Sequence, residues 1–242
     1  MGLTLSAVHL AAFEKYYREL SSWNLRFNLT TITEYEDVQC KHFLDSLSCL
    51  LALPQAGPAG GIPNAIPLQL SPLSLCCLDV GSGAGFPGIP LKILLPEAKM
   101  ALIEATAKKV SFLRHLVQVL GLTGVDVLHG RAEGIARMPE HRERYDFVVV
   151  RAVADLSVLA EYCLPFCRVG GRMVAQKGKG AQDEARLAQR AFGLLGGALV
   201  DIKQVILPGL PPGRCLVVVD KKRKGPDEYP RRAGVPSKRP LR

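Results

Sequence analysis

The stretch Leu78-Asp79-Val80-Gly81-Ser82-Gly83-Ala84-Gly85-Phe86-Pro87-Gly88 decides the reading of the chain. It closes an apolar run and opens a helical pattern. Glycines in such a turn let the backbone come close to a ligand, and the start of the helix adds N–H groups with no intrahelical partner. The next apolar run ends in Glu104, 23 residues after Gly81. At about that distance a carboxylate can accept hydrogen bonds from both hydroxyls of a bound ribose. Residues 83–88 also match G-x-G-x-x-G, the dinucleotide pattern, and alone that match is weak. In the dinucleotide pattern the first glycine follows directly on the strand. Here Gly81 takes that place and Asp79 precedes it, giving D-x-G-x-G-x-G. A carboxylate at Asp79 suits a cationic ligand and repels a pyrophosphate, which favours S-adenosylmethionine over a dinucleotide. Its structural alternative is to cap the turn that follows.

Outward from this turn, strands alternate with helices. Strands are expected at 75–80, 99–104, 125–129, 145–150, 171–176, 199–207 and 214–220, with helices between the first five and again at about 181–195. Only residues 208–213 join the last two strands. That is too short for a parallel crossover, so an antiparallel hairpin is expected. The pattern describes an α/β fold, a doubly wound Rossmann-like sheet with an antiparallel edge hairpin. Before it, residues 5–20 read as an amphipathic helix and 23–31 as a polar-aromatic loop. Thr33 and Glu36 form a capping-box signature for a second helix running to about Leu53. Residues 54–73 hold five prolines and three glycines and read as a linker. The expected organisation is an N-terminal helical extension (1–53), the linker loop (54–73), the sheet domain (74–220) and a C-terminal tail (221–242).

The tail is basic. It carries nine Lys/Arg against two acids, which is seven of the nine net positive charges of the chain. With four prolines it cannot be a long helix. Such a segment is a plausible contact for a nucleic-acid backbone, or simply a solubilising end. No apolar run is long enough to span a membrane, and no secretory leader is evident. The seven cysteines show no zinc spacing and no C-x-x-C pair, so they read as small buried hydrophobes of a cytoplasmic protein.

Other strand ends face the same crevice as the glycine turn. Gly130-Arg131-Ala132-Glu133 follows the third strand, where a short side chain and an acid could flank an adenine, or Glu133 could cap a helix. Arg151 ends the fourth strand, where open α/β sheets keep functional groups; a surface ion pair is its alternative. Lys177, after the fifth, could reach a phosphate.

Several blocks occur together: W-N…N-L-T (Trp23, Asn24, Asn28, Leu29, Thr30), K-H-F-L-D-S-L (Lys41 to Leu47), the glycine segment, K-K-V-x-F-L (Lys108 to Leu113), Arg131-Ala132-Glu133, Arg151-Ala152, Lys177-Gly178 and Y-P-R-R-A-G-V-P (Tyr229 to Pro236). In this order they resemble the bacterial 16S ribosomal RNA guanine-N7 methyltransferases, also called glucose-inhibited division protein B. The resemblance covers nearly the whole chain, although the stretch before Trp23 looks short and the insert 54–73 long for the family.

It implies a class I S-adenosylmethionine-dependent methyltransferase with a helical extension, acting on a guanine in the decoding region of 16S rRNA, within the small ribosomal subunit. It also implies donor contacts at Gly81, Gly83, Phe86, Glu104, Ala105, Thr106, Ala132, Glu133 and Arg151. Guanine N7 offers a lone pair and no proton, so in-line displacement there needs no general base. Asn28, His42 and Asp45 are candidates for substrate-side groups; His42 and Asp45, spaced i, i+3, could equally be a structural pair. Arg151, Lys177, Arg231 and Arg232 are candidate RNA contacts. No metal is expected, and a monomer is. The rival readings are a nicotinamide oxidoreductase, a non-catalytic RNA-binding factor, and a methyltransferase with another acceptor.

Overall fold

Strand β1 (Cys76–Val80) is buried on both faces, which explains its continuous apolar run. A computed structural model describes residues 3–53, 75–151 and 154–241; the linker expected at 54–73 lies outside them. In chain order the elements begin with α1 (Ala7–Phe27), α2 (Tyr35–Val38), a π-helical turn (Gln39–Leu44), α3 (Asp45–Leu47) and a 3-10 turn (Ser48–Ala52). After β1 come α4 (Gly88–Leu94), β2 (Lys99–Glu104), α5 (Ala107–Val119), β3 (Val125–His129), α6 (Ala132–Ile135), β4 (Tyr145–Val150) and α7 (Leu156–Cys163). The chain continues through β5 (Cys167–Lys177), α8 (Ala181–Leu187), α9 (Gln189–Leu194), β6 (Gly197–Gln204), β7 (Cys215–Lys221) and α10 (Val235–Lys238).

Among the described residues the strands form one seven-stranded sheet in the order β3-β2-β1-β4-β5-β7-β6. Neighbours from β3 to β5 pair in parallel, and β7 runs antiparallel between β5 and β6. The doubly wound sheet and the closing hairpin are as expected. Chain order reverses at β1, flanked by β2 and β4, and the crevice at their carboxyl ends is where such sheets bind ligands. One apolar cluster joins Phe147 and Val149 of β4 to α1, the 35–52 block, α4 and α5. The other joins Val148 and Val150 to α6, α7 and α9. All seven cysteines are unpaired. Among the described residues no helix is long and apolar enough to cross a membrane.

Four sequence-based readings are corrected. The first helix does not stop near Leu20 but runs to Phe27, because Trp23 finds ring partners in Phe112 and His115 of α5 at 5.5 and 5.0 Å. The capping box at Thr33 and Glu36 does not form: Glu34 precedes α2 and no side chain caps it. The second helix is a composite, because the turn between Gln39 and Leu44 widens to a π-helix. The pattern at 181–195 is likewise two helices, divided at Ala188.

The glycine turn is packed tightly at one point. Gly88 donates its N–H to Asp79 Oδ2 at 2.9 Å, and a Cβ at Gly88 would lie 2.5 Å from Leu102 Cδ2 and 2.8 Å from that same oxygen. Gly88→Ala is expected to lower stability by about 1–3 kcal/mol through this overpacking, read as a lower urea midpoint at unchanged m-value.

Candidate active site

The glycine turn leaves a cradle. Gly81 (φ +75°) and Gly83 (φ +58°) adopt left-handed conformations. A Cβ at Gly81 would meet no atom within 4 Å, and one at Gly83 only the Gly81 carbonyl at 3.9 Å. Their backbone is therefore open to a ligand on that side. Glu104, buried at the end of β2, accepts from the Gly83 N–H at 3.0 Å with one oxygen and from the Thr106 N–H at 2.7 Å with the other. Each oxygen keeps a lone pair. Asp79 is fully buried, and its Oδ1 has no hydrogen-bond partner. Burial raises its pKa to about 7, against the lowering effect of the Gly88 N–H. The open backbone of Gly81 and Gly83, beside the remaining lone pairs of Glu104, fits a ligand that brings its own hydrogen-bond donors.

Ala105 and Thr106 are exposed at the start of α5, and Ala132 and Glu133 are buried in the first turn of α6. The ring of Phe86, expected against the donor, is enclosed by the N-terminal block. It stacks on His42 (4.3 Å) and on Tyr16 (5.3 Å), with the Arg151 guanidinium 4.9 Å from its centroid. Tyr16 also donates its hydroxyl to the Ala84 carbonyl at 2.5 Å. Phe86 thus joins the glycine turn to the helices above it.

Beside the cradle lies a cleft of about 320 Å³ lined by Ile32, Lys41, His42, Arg151, Gln176, Lys177 and Arg214, among others. Its frame is a hydrogen-bonded chain. The Asn24 side chain clamps the backbone of Thr30, donating to its carbonyl (3.0 Å) and accepting its N–H (2.9 Å). Thr30 Oγ1 lies 2.8 Å from His42 Nε2, and Arg151 Nη2 lies 2.9 Å from His42 Nδ1. A guanidinium can only donate, so Nδ1 is the acceptor and the imidazole is neutral with its proton on Nε2. Arg151 Nη1 also donates to the Lys41 carbonyl at 3.1 Å, within the π-turn, a common setting for functional groups. Asp45 closes the chain: its buried carboxylate accepts from Arg151 at 3.4 Å and from Arg214 through both Nε (3.0 Å) and Nη2.

The His42 and Asp45 side chains therefore meet at Arg151, while the Asp45 N–H donates to the His42 carbonyl within the helix. Asn28 is an exposed left-handed residue ending α1, its N–H on the Asn24 carbonyl at 3.2 Å. Asparagine tolerates that conformation, which suits it to the cap position. Lys177 lines the cleft but is tied to Glu184 (2.7 Å) and the Ala154 carbonyl (3.0 Å). Of the two candidate RNA contacts in the tail, Arg231 is turned inward onto Glu161 of α7, 2.6 Å at its shortest, and Arg232 is exposed. The sequence reading missed Arg214. Its signal lay in the predicted hairpin: β7 runs antiparallel, with Cys215 opposite Lys177, so its first residues return to the edge where the parallel strands end.

A reversed strand inside a doubly wound sheet, with a glycine cradle and an acid at its switch point, defines a class I S-adenosylmethionine-dependent methyltransferase fold. Solved structures carry the same architecture. A mutant of MtNAS in complex with S-adenosylmethionine aligns over 88% of this chain and 72% of its own at 16% identity and a TM-score of 0.52. The citrinin polyketide synthase CMeT domain aligns over 64% and 48% at 11% identity and 0.51. At such identities the likeness concerns the fold. A family model for rRNA small subunit methyltransferase G (GidB) matches residues 9–208. Proteins named ribosomal RNA small subunit methyltransferase G from Roseiflexus sp. strain RS-1 and Dehalococcoides mccartyi strain CBDB1 are each 48% identical over 99–100% of this chain and 95% of their own length. The chain belongs to the rRNA small subunit methyltransferase G family.

The state of His42 gives a pH test. Burial, then the Arg151 charge, lowers its pKa from 6.5 to about 3. Between those values the unfolded chain binds a proton that the folded chain does not. This contribution to stability is complete above about pH 6.5 and is lost as pH falls toward 3. Replacing His42 by Gln should remove up to one proton from the linkage. Urea unfolding at several pH values should then show a slope shallower by up to ~1.4 kcal/mol per pH unit across that window.

Proposed function

We propose that this chain transfers a methyl group from S-adenosylmethionine to N7 of a guanine in the decoding region of 16S rRNA, on the small ribosomal subunit in the cytoplasm. The observation that carries the reading is the cationic cleft beside the glycine cradle, supported by membership of the family.

S-adenosylmethionine, when bound, supplies an electrophilic methyl carried on a sulfonium. The backbone of Gly81 and Gly83 would hold it, with Glu104 on the ribose and Ala132 and Glu133 beside the adenine. Toward the acceptor, two guanidinium groups face one carboxylate. Arg151 and Arg214 therefore leave surplus positive charge in a cleft that Lys41 and Lys177 also line, as an RNA phosphate requires. Both ring nitrogens of His42 are occupied and Asp45 is bound to two arginines, so neither group stands ready as a general base. That matches an acceptor with a lone pair and no proton. The work of the site is placement of N7 in line with the methyl and exclusion of water. His42 and Asp45 contribute by positioning Arg151 and Arg214.

Small subunits from a bacterium lacking N7-guanine methylation at this site, incubated with the protein and methyl-labelled S-adenosylmethionine, should acquire one labelled N7-methylguanine in the decoding region by mass spectrometry. Label elsewhere, or none, would refute the assignment. Replacing Arg214 by Lys keeps the charge but loses the paired geometry. It should raise KM for the subunit about tenfold while donor affinity holds.

A further inference from the structure

The C-terminal segment has the composition of a solvated basic arm, yet it is fastened to the sheet domain along its length. Two arginines from the loop between α6 and β4 hold its backbone. Arg137 donates to the carbonyls of Glu228 (2.9 Å) and Pro230 (2.6 Å), and Arg142 to those of Tyr229 (2.7 Å) and Pro226 (3.1 Å). Tyr229 and Leu241 pack against the second apolar cluster. Glu161, on α7 and 0% exposed, accepts from the Arg231 N–H at 2.7 Å, from its Nε at 2.9 and 3.2 Å and from its Nη2 at 2.6 Å. A carboxylate buried that deeply needs its counter-charge, so this pair is the anchor. Three residues on, the chain turns at Gly234 (φ +80°) and donates its N–H to Glu133 Oε1 at 2.9 Å.

Glu133 sits in the first turn of α6, at the end of the crevice assigned to the donor. We propose that residues 226–241 form a strap that orients Glu133 from behind, with Arg231 as its positioning residue, so that the segment sets affinity for the methyl donor rather than grip on RNA. Gly234 occupies one oxygen of the carboxylate and thereby restricts the orientation the side chain can take. Bound to Glu161, Arg231 acts through the strap on Glu133. The inference rests on the reading of α6 as the adenine side of the donor site.

The test uses full-length chains: Arg231→Gln, Arg231→Lys, and the double variant Glu161→Gln/Arg231→Gln, which removes the anchor without leaving a buried charge unpaired. Donor affinity is read by isothermal titration calorimetry, and KM for donor and for small subunits by methylation at saturating concentrations of the other substrate. The Kd and KM for S-adenosylmethionine should rise about tenfold in Arg231→Gln and in the double variant, the size of effect expected for losing a hydrogen bond to a charged group. The KM for the subunit and kcat at saturating donor should hold, and Arg231→Lys should restore much of the donor affinity. Unchanged donor affinity with a raised subunit KM would make the segment an RNA arm and overturn the proposal. Unchanged values for both, or loss of fold in both Gln variants, would make it a purely structural element and overturn it equally. An unmodified chain that bound no donor would instead refute the proposed function.

Discussion

A single buried carboxylate, Asp45, holds two guanidinium groups that reach it from two different strands of the sheet domain. Arg151 comes from the end of β4 and Arg214 from the start of β7. In water such pairs contribute little, but this one is removed from solvent, where an uncompensated charge is costly and a compensated one fixes geometry. The N-terminal block can dock in one way: with Asp45 between the arginines and His42 stacked on Phe86. From that constraint follow the shape of the cleft, the enclosure of Phe86 and the neutral state of His42.

How much of this was legible in the sequence differs by element. The sheet was legible almost strand by strand, because the inner parallel strands β1, β2 and β4 are buried on both faces and read as apolar runs between turn residues. The reversed final hairpin followed from a connection too short to cross over. Glu104 and the glycine turn were legible because their chemistry is local: a fixed distance along the chain becomes a fixed distance in space. The pairing of Asp45 with Arg151 and Arg214 was not, since it spans separations of 106 and 169 residues that no periodicity encodes. The π-turn was hidden for a related reason. It widens a helix whose residue pattern looks ordinary, and it is matched by a carbonyl contact to a side chain far along the sequence.

The C-terminal segment shows what composition leaves out: Lys222, Arg223, Lys224, Arg232, Lys238 and Arg239 are exposed, but Lys221 and Arg231 are not. Lysines and arginines in number suggested an exposed cationic arm. One of those arginines instead neutralises Glu161 in the interior, and arginines outside the segment, Arg137 and Arg142, bind its carbonyls. Charge counts report how many cations a segment has, whereas burial decides which of them face solvent.

The enclosure of Phe86 bears on modularity. The ring belongs to the glycine turn proposed to cradle the donor, yet Tyr16, His42 and Arg151 surround it, and Tyr16 bonds the carbonyl of Ala84 in the same turn. The helical cap and the nucleotide-binding scaffold therefore share one structural joint and do not behave as separable cassettes. A cap grafted from a methyltransferase with a different acceptor would have to bring its own solution for this joint. Otherwise the scaffold would lose the order of its donor turn along with the old specificity, so acceptor choice and donor binding are expected to diversify together.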